Sequence, residues 1–128
     1  MNKPPFATIL VAEDNGPSRE LLMGILKNHN YQVYGAIDGE TAIKVVEDRP
    51  IDLALVDINM VPQGGFNFVR WLIGHGHGDL PVIFITSDDN TDILQEATML
   101  GVRQIMRKPI DPERLIQTIK RVLKMRGN

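Results

Sequence analysis

The chain has 128 residues, 43% hydrophobic and 23% charged, which is the size and make-up of one ordinary globular domain and far from the low hydrophobicity of a disordered chain. Fourteen Lys and Arg against sixteen Asp and Glu leave a formal net charge of −2, so no overall field draws the protein to nucleic acid or to an anionic membrane. With no cysteine there is no disulfide framework, thiol nucleophile or zinc-thiolate site; no apolar run approaches the ~20 residues of a membrane span, and MNKPPFATIL lacks the apolar core of a secretory signal, so a cytoplasmic setting is expected.

Short apolar runs rich in β-formers alternate with helix-period segments along the whole chain, the pattern of a parallel sheet with helical crossovers. ATILVA is the first strand and GPSRELLMGILKN the first helix, with Pro17 in its first turn and Leu21, Leu22, Ile25 and Leu26 as its apolar stripe. YQVYGA is the second strand, and the helix DGETAIKVVEDR opens on Asp38 as N-cap and is striped by Ala42, Val45 and Val46. IDLALVD is the third strand, followed by the loop INMVPQGG and a helix from about Phe66 to Ile73 with Val69, Leu72 and Ile73 inward. LPVIFIT is the fourth strand; Asp88 or Asp89 is the expected cap of the next helix, Ile93, Ala97 and Leu100 its stripe, and Gly101 its C′ residue. VRQIM is the fifth strand, and the last helix opens with Asp111 as N-cap and Pro112 in its first turn, turning Leu115, Ile119, Val122 and Leu123 inward.

Five βα units with no linker, repeat or low-complexity segment predict a single α/β domain over residues 1–128, without an output domain in this chain. Strands two and three read as nearly continuous apolar runs, as expected of strands covered by helices on both faces.

In such a sheet the functional crevice lies beyond the carboxyl ends of the strands, so the residues ending each strand carry the information. Strand one ends in Glu13 and Asp14, strand three in Asp57, strand four in Thr86 and Ser87, and strand five runs into Lys108. Three carboxylates brought together repel one another unless a cation sits among them, and hard oxygen ligands suit Mg²⁺. With that charge neutralised, one carboxylate can attack a phosphoryl group while Lys108 and a threonine hydroxyl hold the oxygens on which charge develops. Each residue alone has a simpler reading: Asp14 as a helix cap, Thr86 as another, Lys108 as a solvated side chain. Their joint placement at the same end of four strands favours the chemical one.

The blocks LVAED, LALVDINM, VIFITS and MRKPID resemble the signature blocks of the response-regulator receiver domain of two-component signalling, over about residues 6–125. The resemblance implies a flavodoxin-like five-stranded parallel sheet of order 2-1-3-4-5 with five helices on both faces. It implies that Glu13 and Asp14 hold Mg²⁺ with Asp57 and the backbone carbonyl of Asn59, and that Asp57 is the phosphoacceptor. It further implies that Thr86 is the switch hydroxyl, with Ser87 beside it, that Lys108 contacts the phosphoryl group, and that the Lys108–Pro109 bond is cis. Asn59 and Asp88 are the positions expected to tune the lifetime of the phosphoryl group.

Three features depart from the family pattern or stand outside it. In the loop after Asp57, Val61, Gly64 and Gly65 stand where Pro, Asp and Gly are usual, with Pro62 displaced by one; two consecutive glycines predict a loop of unusual freedom. Ile105 replaces the Tyr or Phe that swings inward in many receivers, so the switch is expected to rest on Thr86 and the segment Ser87–Asp92. His75 and His77 in GHGHGD lack a third ligand at suitable spacing and read as a solvated loop.

The expected function is a phosphorylation-driven switch, not an enzyme. A sensor histidine kinase or histidine phosphotransfer protein is the donor, and a downstream effector reads the face made by the fourth helix, fifth strand and fifth helix, which is also the candidate homodimer surface. Two rivals are a phosphatase of the haloacid-dehalogenase type, disfavoured because Asn59 stands where its second Asp belongs, and an unphosphorylated binding or flavin-carrying module on the same fold.

Overall fold

The computed structural model describes residues 4–60, 64–87 and 90–126. Five strands, β1 (Thr8–Ala12), β2 (Gln32–Ala36), β3 (Leu53–Asp57), β4 (Val82–Thr86) and β5 (Gln104–Arg107), alternate with five helices, α1 (Gly16–Asn28), α2 (Gly39–Asp48), α3 (Gly65–Gly74), α4 (Thr91–Met99) and α5 (Pro112–Arg126). All neighbouring strands pair in parallel, in the order β2-β1-β3-β4-β5, so the strand order reverses beside β1 and opens a crevice between the carboxyl ends of β1 and β3.

Strand alternation divides the core into two layers. Leu10, Ala12, Ala54, Val56 and Phe84 pack with Ala42 and Val46 of α2, Phe68, Val69 and Leu72 of α3, and Ala97 of α4. Ile9, Val11, Leu53, Leu55, Ile83 and Ile85 pack with Leu22 and Leu26 of α1 and Leu115, Ile116 and Ile119 of α5. Each fully buried Leu, Ile or Phe contributes about 1.5–3 kcal/mol relative to an exposed one. Every residue of β3 is buried, which is why its sequence is a continuous apolar run up to Asp57. β2 differs from expectation: as an edge strand it exposes Gln32 and Gly35, and only Ala36 in it is fully covered.

The helix ends follow local chemistry. Asp38 Oδ1 caps α2 by accepting from the Thr41 amide at 2.8 Å, and Asp111 Oδ1 accepts from the Glu113 amide at 3.2 Å at the start of α5. Gly101 follows the end of α4 at φ +86°, a left-handed conformation that favours glycine. α1 is capped by Asn15, whose Oδ1 accepts from the Ser18 amide at 2.9 Å, and α4 by Asn90, which accepts from Ile93 at 3.0 Å. Asn90 therefore takes the part expected of Asp88 or Asp89, which lie outside the described residues, as do Val61 and Pro62. Two inward assignments are corrected: Leu21 is 66% and Ile73 51% exposed, because each lies on the outer flank of its helix's apolar stripe.

Candidate functional site

At the carboxyl edge of the sheet, carboxylate oxygens of Glu13, Asp14 and Asp57 all lie within 4.8 Å of one another. Two of the three are deep: Glu13 is 1% and Asp57 6% exposed, while Asp14 faces solvent. β1 and β3 are adjacent, with Ala12 paired to Val56, so the residues following one strand stand beside the end of the other.

Backbone hydrogen bonds hold each carboxylate's chain segment. The Glu13 amide donates to the Ala36 carbonyl at 3.0 Å and the Ile58 amide to Ile85 at 3.0 Å, extending the ladders past the last strand residues. Asp57 Oδ1 accepts from the Asn59 amide at 2.9 Å, and Glu13 Oε2 from the Asn15 amide at 3.3 Å. The glycines after Asp57 have a packing reason: a Cβ at Gly65 would lie 2.9 Å from the Asp57 carbonyl oxygen, and one at Gly64 2.9 Å from the Ile58 carbonyl oxygen. Gly65 also donates to Ile58 at 2.9 Å, so these two glycines lie close against the strand end.

Lys108 reaches the cluster from the end of β5. Its Nζ lies 2.5 Å from Glu13 Oε1 and 3.0 Å from Asp57 Oδ2. Its amide donates to the Thr86 carbonyl at 2.8 Å, and the Lys108–Pro109 peptide bond is cis. Burial chiefly, reinforced by the hydrogen bond shared with Asp57, raises the Glu13 carboxyl to about 7 despite Lys108. Burial pushes Asp57 the same way, but the hydrogen bonds from Glu13, the Asn59 amide and Lys108 outweigh it and hold Asp57 below the ordinary value. Burial opposes the charge on Lys108, and the two carboxylates overcome it, leaving the ammonium harder to deprotonate than usual. Of the three acids, Glu13 therefore takes up a proton most readily, and the single Lys108 ammonium leaves the cluster with an excess of negative charge.

Thr86 is fully buried at the end of β4 and Ser87 exposed just beyond it. Ile105 pairs with Phe84 and is half-buried against the α2–α4 layer, without an aromatic ring to swing. Asn59 is exposed, with its backbone beside Asp57. Asp88 lies outside the described residues. His75 and His77 lie apart from this cluster in a largely exposed loop, as expected, and both imidazoles stack on the Trp71 indole, at centroid distances of 4.5 and 5.5 Å. Sequence reasoning missed Arg19, whose Nη1 donates to the Glu13 carbonyl at 2.8 Å; its spacing from Glu13, one turn into α1, was the available signal.

No helix among the described residues is long and apolar enough to cross a membrane. A family model described as the response regulator receiver domain matches residues 9–120. The chain is 31% identical over 117 residues to the response regulator GtcR of Aneurinibacillus migulanus, covering 91% of this chain and 48% of GtcR, so it spans about half the length of that relative. It is 30% identical over 119 residues to protein PilH of Pseudomonas aeruginosa, covering 92% of this chain and 98% of PilH. Its fold superposes on the chemotaxis protein CheY4 of Vibrio cholerae with a TM-score of 0.86 at 27% identity, over 91% of this chain and 98% of that one.

Proposed function

Because the chain belongs to the response regulator receiver domain family, the phosphorylation-activated switches of two-component signalling, we propose that Asp57 is its phosphoacceptor and that residues 1–128 form one receiver domain. The observation that carries this reading is the Asp57 carboxylate at the end of a fully buried strand, aimed by the Asn59 amide and faced by Lys108, Glu13 and Asp14. An apolar strand ending in one charged group places that group with little freedom, which favours nucleophilic attack.

The donor set fits a divalent cation. Three carboxylates converge, all hard oxygen donors, and the one ammonium that reaches Glu13 and Asp57 leaves them short of positive charge. Glu13, Asp14, Asp57 and the Asn59 backbone carbonyl are the groups that would hold Mg²⁺. When bound, Mg²⁺ supplies charge neutralisation between the attacking carboxylate and the phosphoryl oxygens.

In the proposed transfer, an Asp57 oxygen attacks the phosphorus of the donor, the bond from phosphorus to the donor's leaving atom breaks, and an acyl phosphate forms on Asp57. Lys108 exchanges its contact with the Asp57 carboxylate for one with the phosphoryl oxygens, and the Thr86 hydroxyl answers the same charge from β4. Drawing Thr86 inward repacks the segment leading into α4, and the face of α4, β5 and α5 is the surface read out. Receiver domains interact with histidine kinases and downstream effectors. Here a sensor histidine kinase or histidine phosphotransfer protein is the proposed donor, in the cytoplasm, and the readout face is also the proposed homodimer surface.

Incubation with acetyl phosphate and Mg²⁺, followed by intact mass, tests this. The wild type is expected to gain one phosphoryl group; Asp57→Asn, or wild type with chelator, is expected to gain none. Equal gain by Asp57→Asn would overturn the assignment.

A further inference from the structure

We infer that Arg19 is a positioning residue for the acidic cluster, fixing the peptide between Glu13 and Asp14 and, through it, the aim of both carboxylates. The inference rests on the reading of Glu13, Asp14 and Asp57 as the holders of a divalent cation.

Arg19 stands one turn into α1, and its own amide donates to the Asn15 carbonyl at 2.9 Å, which ties it to the helix start. From there Nη1 donates to the Glu13 carbonyl at 2.8 Å. The Glu13 amide donates to the Ala36 carbonyl of β2 at 3.0 Å, so Glu13 is gripped on its N–H side by the sheet and on its C=O side by α1. That carbonyl belongs to the peptide leading into Asp14. Holding that carbonyl fixes ψ of Glu13, and an uncompensated rotation about ψ turns Asp14 relative to Glu13, so that their convergence with Asp57 is lost.

The path of the Arg19 side chain is also built. It runs across Gly35 of β2, where a Cβ would meet Arg19 Cδ at 3.4 Å and Met23 Sδ at 2.9 Å. Gly35 pairs with Val11 in regular strand register, so its lack of a side chain is a matter of space rather than of backbone conformation. A side chain at 35 would crowd Met23 Sδ first and touch the Arg19 stem beside it.

A guanidinium near a cation site has two opposing effects, which makes the inference decidable. If its charge alone matters, it repels a divalent cation, and removing it tightens binding. If its hydrogen bond aims the carboxylates, removing it weakens binding, in the way that loss of groups orienting metal ligands weakens affinity, typically by about 10–100-fold. Because Arg19 holds the backbone and not a carboxylate oxygen, the lower end of that range is expected.

The experiment is a calorimetric titration of the full chain with Mg²⁺, for the wild type, Arg19→Met, Arg19→Lys and Gly35→Val, alongside amide hydrogen exchange of the metal-free proteins. Arg19→Met is expected to weaken Mg²⁺ binding about tenfold, with Arg19→Lys recovering most of the loss. Gly35→Val, which leaves the charge in place, should shift affinity in the same direction as Arg19→Met. The Asn15 and Gly16 amides should exchange faster in metal-free Arg19→Met. Tighter or unchanged Mg²⁺ binding in folded Arg19→Met overturns the inference, as does a fall in melting temperature with affinity intact, which is a merely structural role. If Arg19→Met does not fold, Arg19→Gln takes its place, and unaltered Mg²⁺ affinity in that variant overturns the inference. A wild type that binds no Mg²⁺ overturns the metal reading itself, and the exchange data then decide whether Arg19 holds the peptide.

Discussion

The Lys108 ammonium lies 2.5 Å from Glu13 Oε1, so the acidic cluster already contains a positive charge contributed by the chain itself. Removing it exposes the mutual repulsion of the carboxylates and vacates their oxygens. Lys108→Met is expected to lower metal-free stability by about 1–3 kcal/mol, less than the ~3–5 kcal/mol for breaking a fully buried pair because 27% of the Lys108 side chain stays in water. It should also raise the stabilisation gained on adding Mg²⁺, since a competing cation is gone. Thermal unfolding with and without Mg²⁺ measures both; a smaller Mg²⁺ effect than in the wild type would count against this arrangement.

The proton on Glu13 sets a pH dependence. Its carboxyl is raised from 4.5 to about 7, so between those values the folded chain binds more protons than the unfolded one. Metal-free stability accordingly falls as pH rises from about 4.5 through about 7. Cation binding needs the ionised carboxylate, so Mg²⁺ affinity should rise from pH 6 to pH 8 with a proton released at the lower pH. Titrations in buffers of different ionisation enthalpy read the proton directly, and Glu13→Gln should flatten the profile.

Gly65 sits against the site strand. Gly65→Ala brings a Cβ to 2.9 Å from the Asp57 carbonyl oxygen, a backbone atom that cannot step aside without moving the carboxylate. The expected cost is about 1–3 kcal/mol in urea unfolding, with slower phosphorylation from acetyl phosphate. Asn67→Ala, on the exposed side of the same helix, should leave both unchanged.

Thr86 is buried at the end of β4 while Ile105 offers no ring to reorient. Phosphorylation is therefore expected to shift amide resonances around Thr86 and the start of α4, and Thr86→Ala should accept the phosphoryl group yet lose most of those shifts. Undiminished shifts in Thr86→Ala would place the switch elsewhere.

Much of this arrangement was legible in the sequence, for reasons that are local. Asp38 before a helical stripe, Gly101 after one, and the apolar run ending in Asp57 each follow from a short-range rule, and the alternation of runs yields a parallel sheet. What was not legible depends on partners distant in the chain. That β2 exposes Gln32 and Gly35 follows from its place at the edge, which the resemblance implied through the strand order but which its own apolar residues do not announce. The outward turn of Leu21 and Ile73 depends on where a stripe meets the sheet, within a fraction of a helical turn. Gly64 and Gly65 announce only the conformations glycine permits; that their lack of a Cβ also allows close approach to Ile58 and Asp57 depends on how the loop folds back. The grip of Arg19 on Glu13 joins a side chain to a backbone carbonyl, a pairing that residue types alone do not announce.

The central claim is that the phosphoryl group resides on Asp57. Borohydride reduction of the phosphorylated chain, which converts an acyl phosphate to an alcohol, followed by peptide mass analysis, tests it most directly. The account predicts reduction at residue 57 alone, and only after treatment with both phosphoryl donor and Mg²⁺. Reduction at Asp14 or Glu13 instead, or a stable phosphoryl group retained on His75 or His77 with Asp57 unmodified, would contradict it.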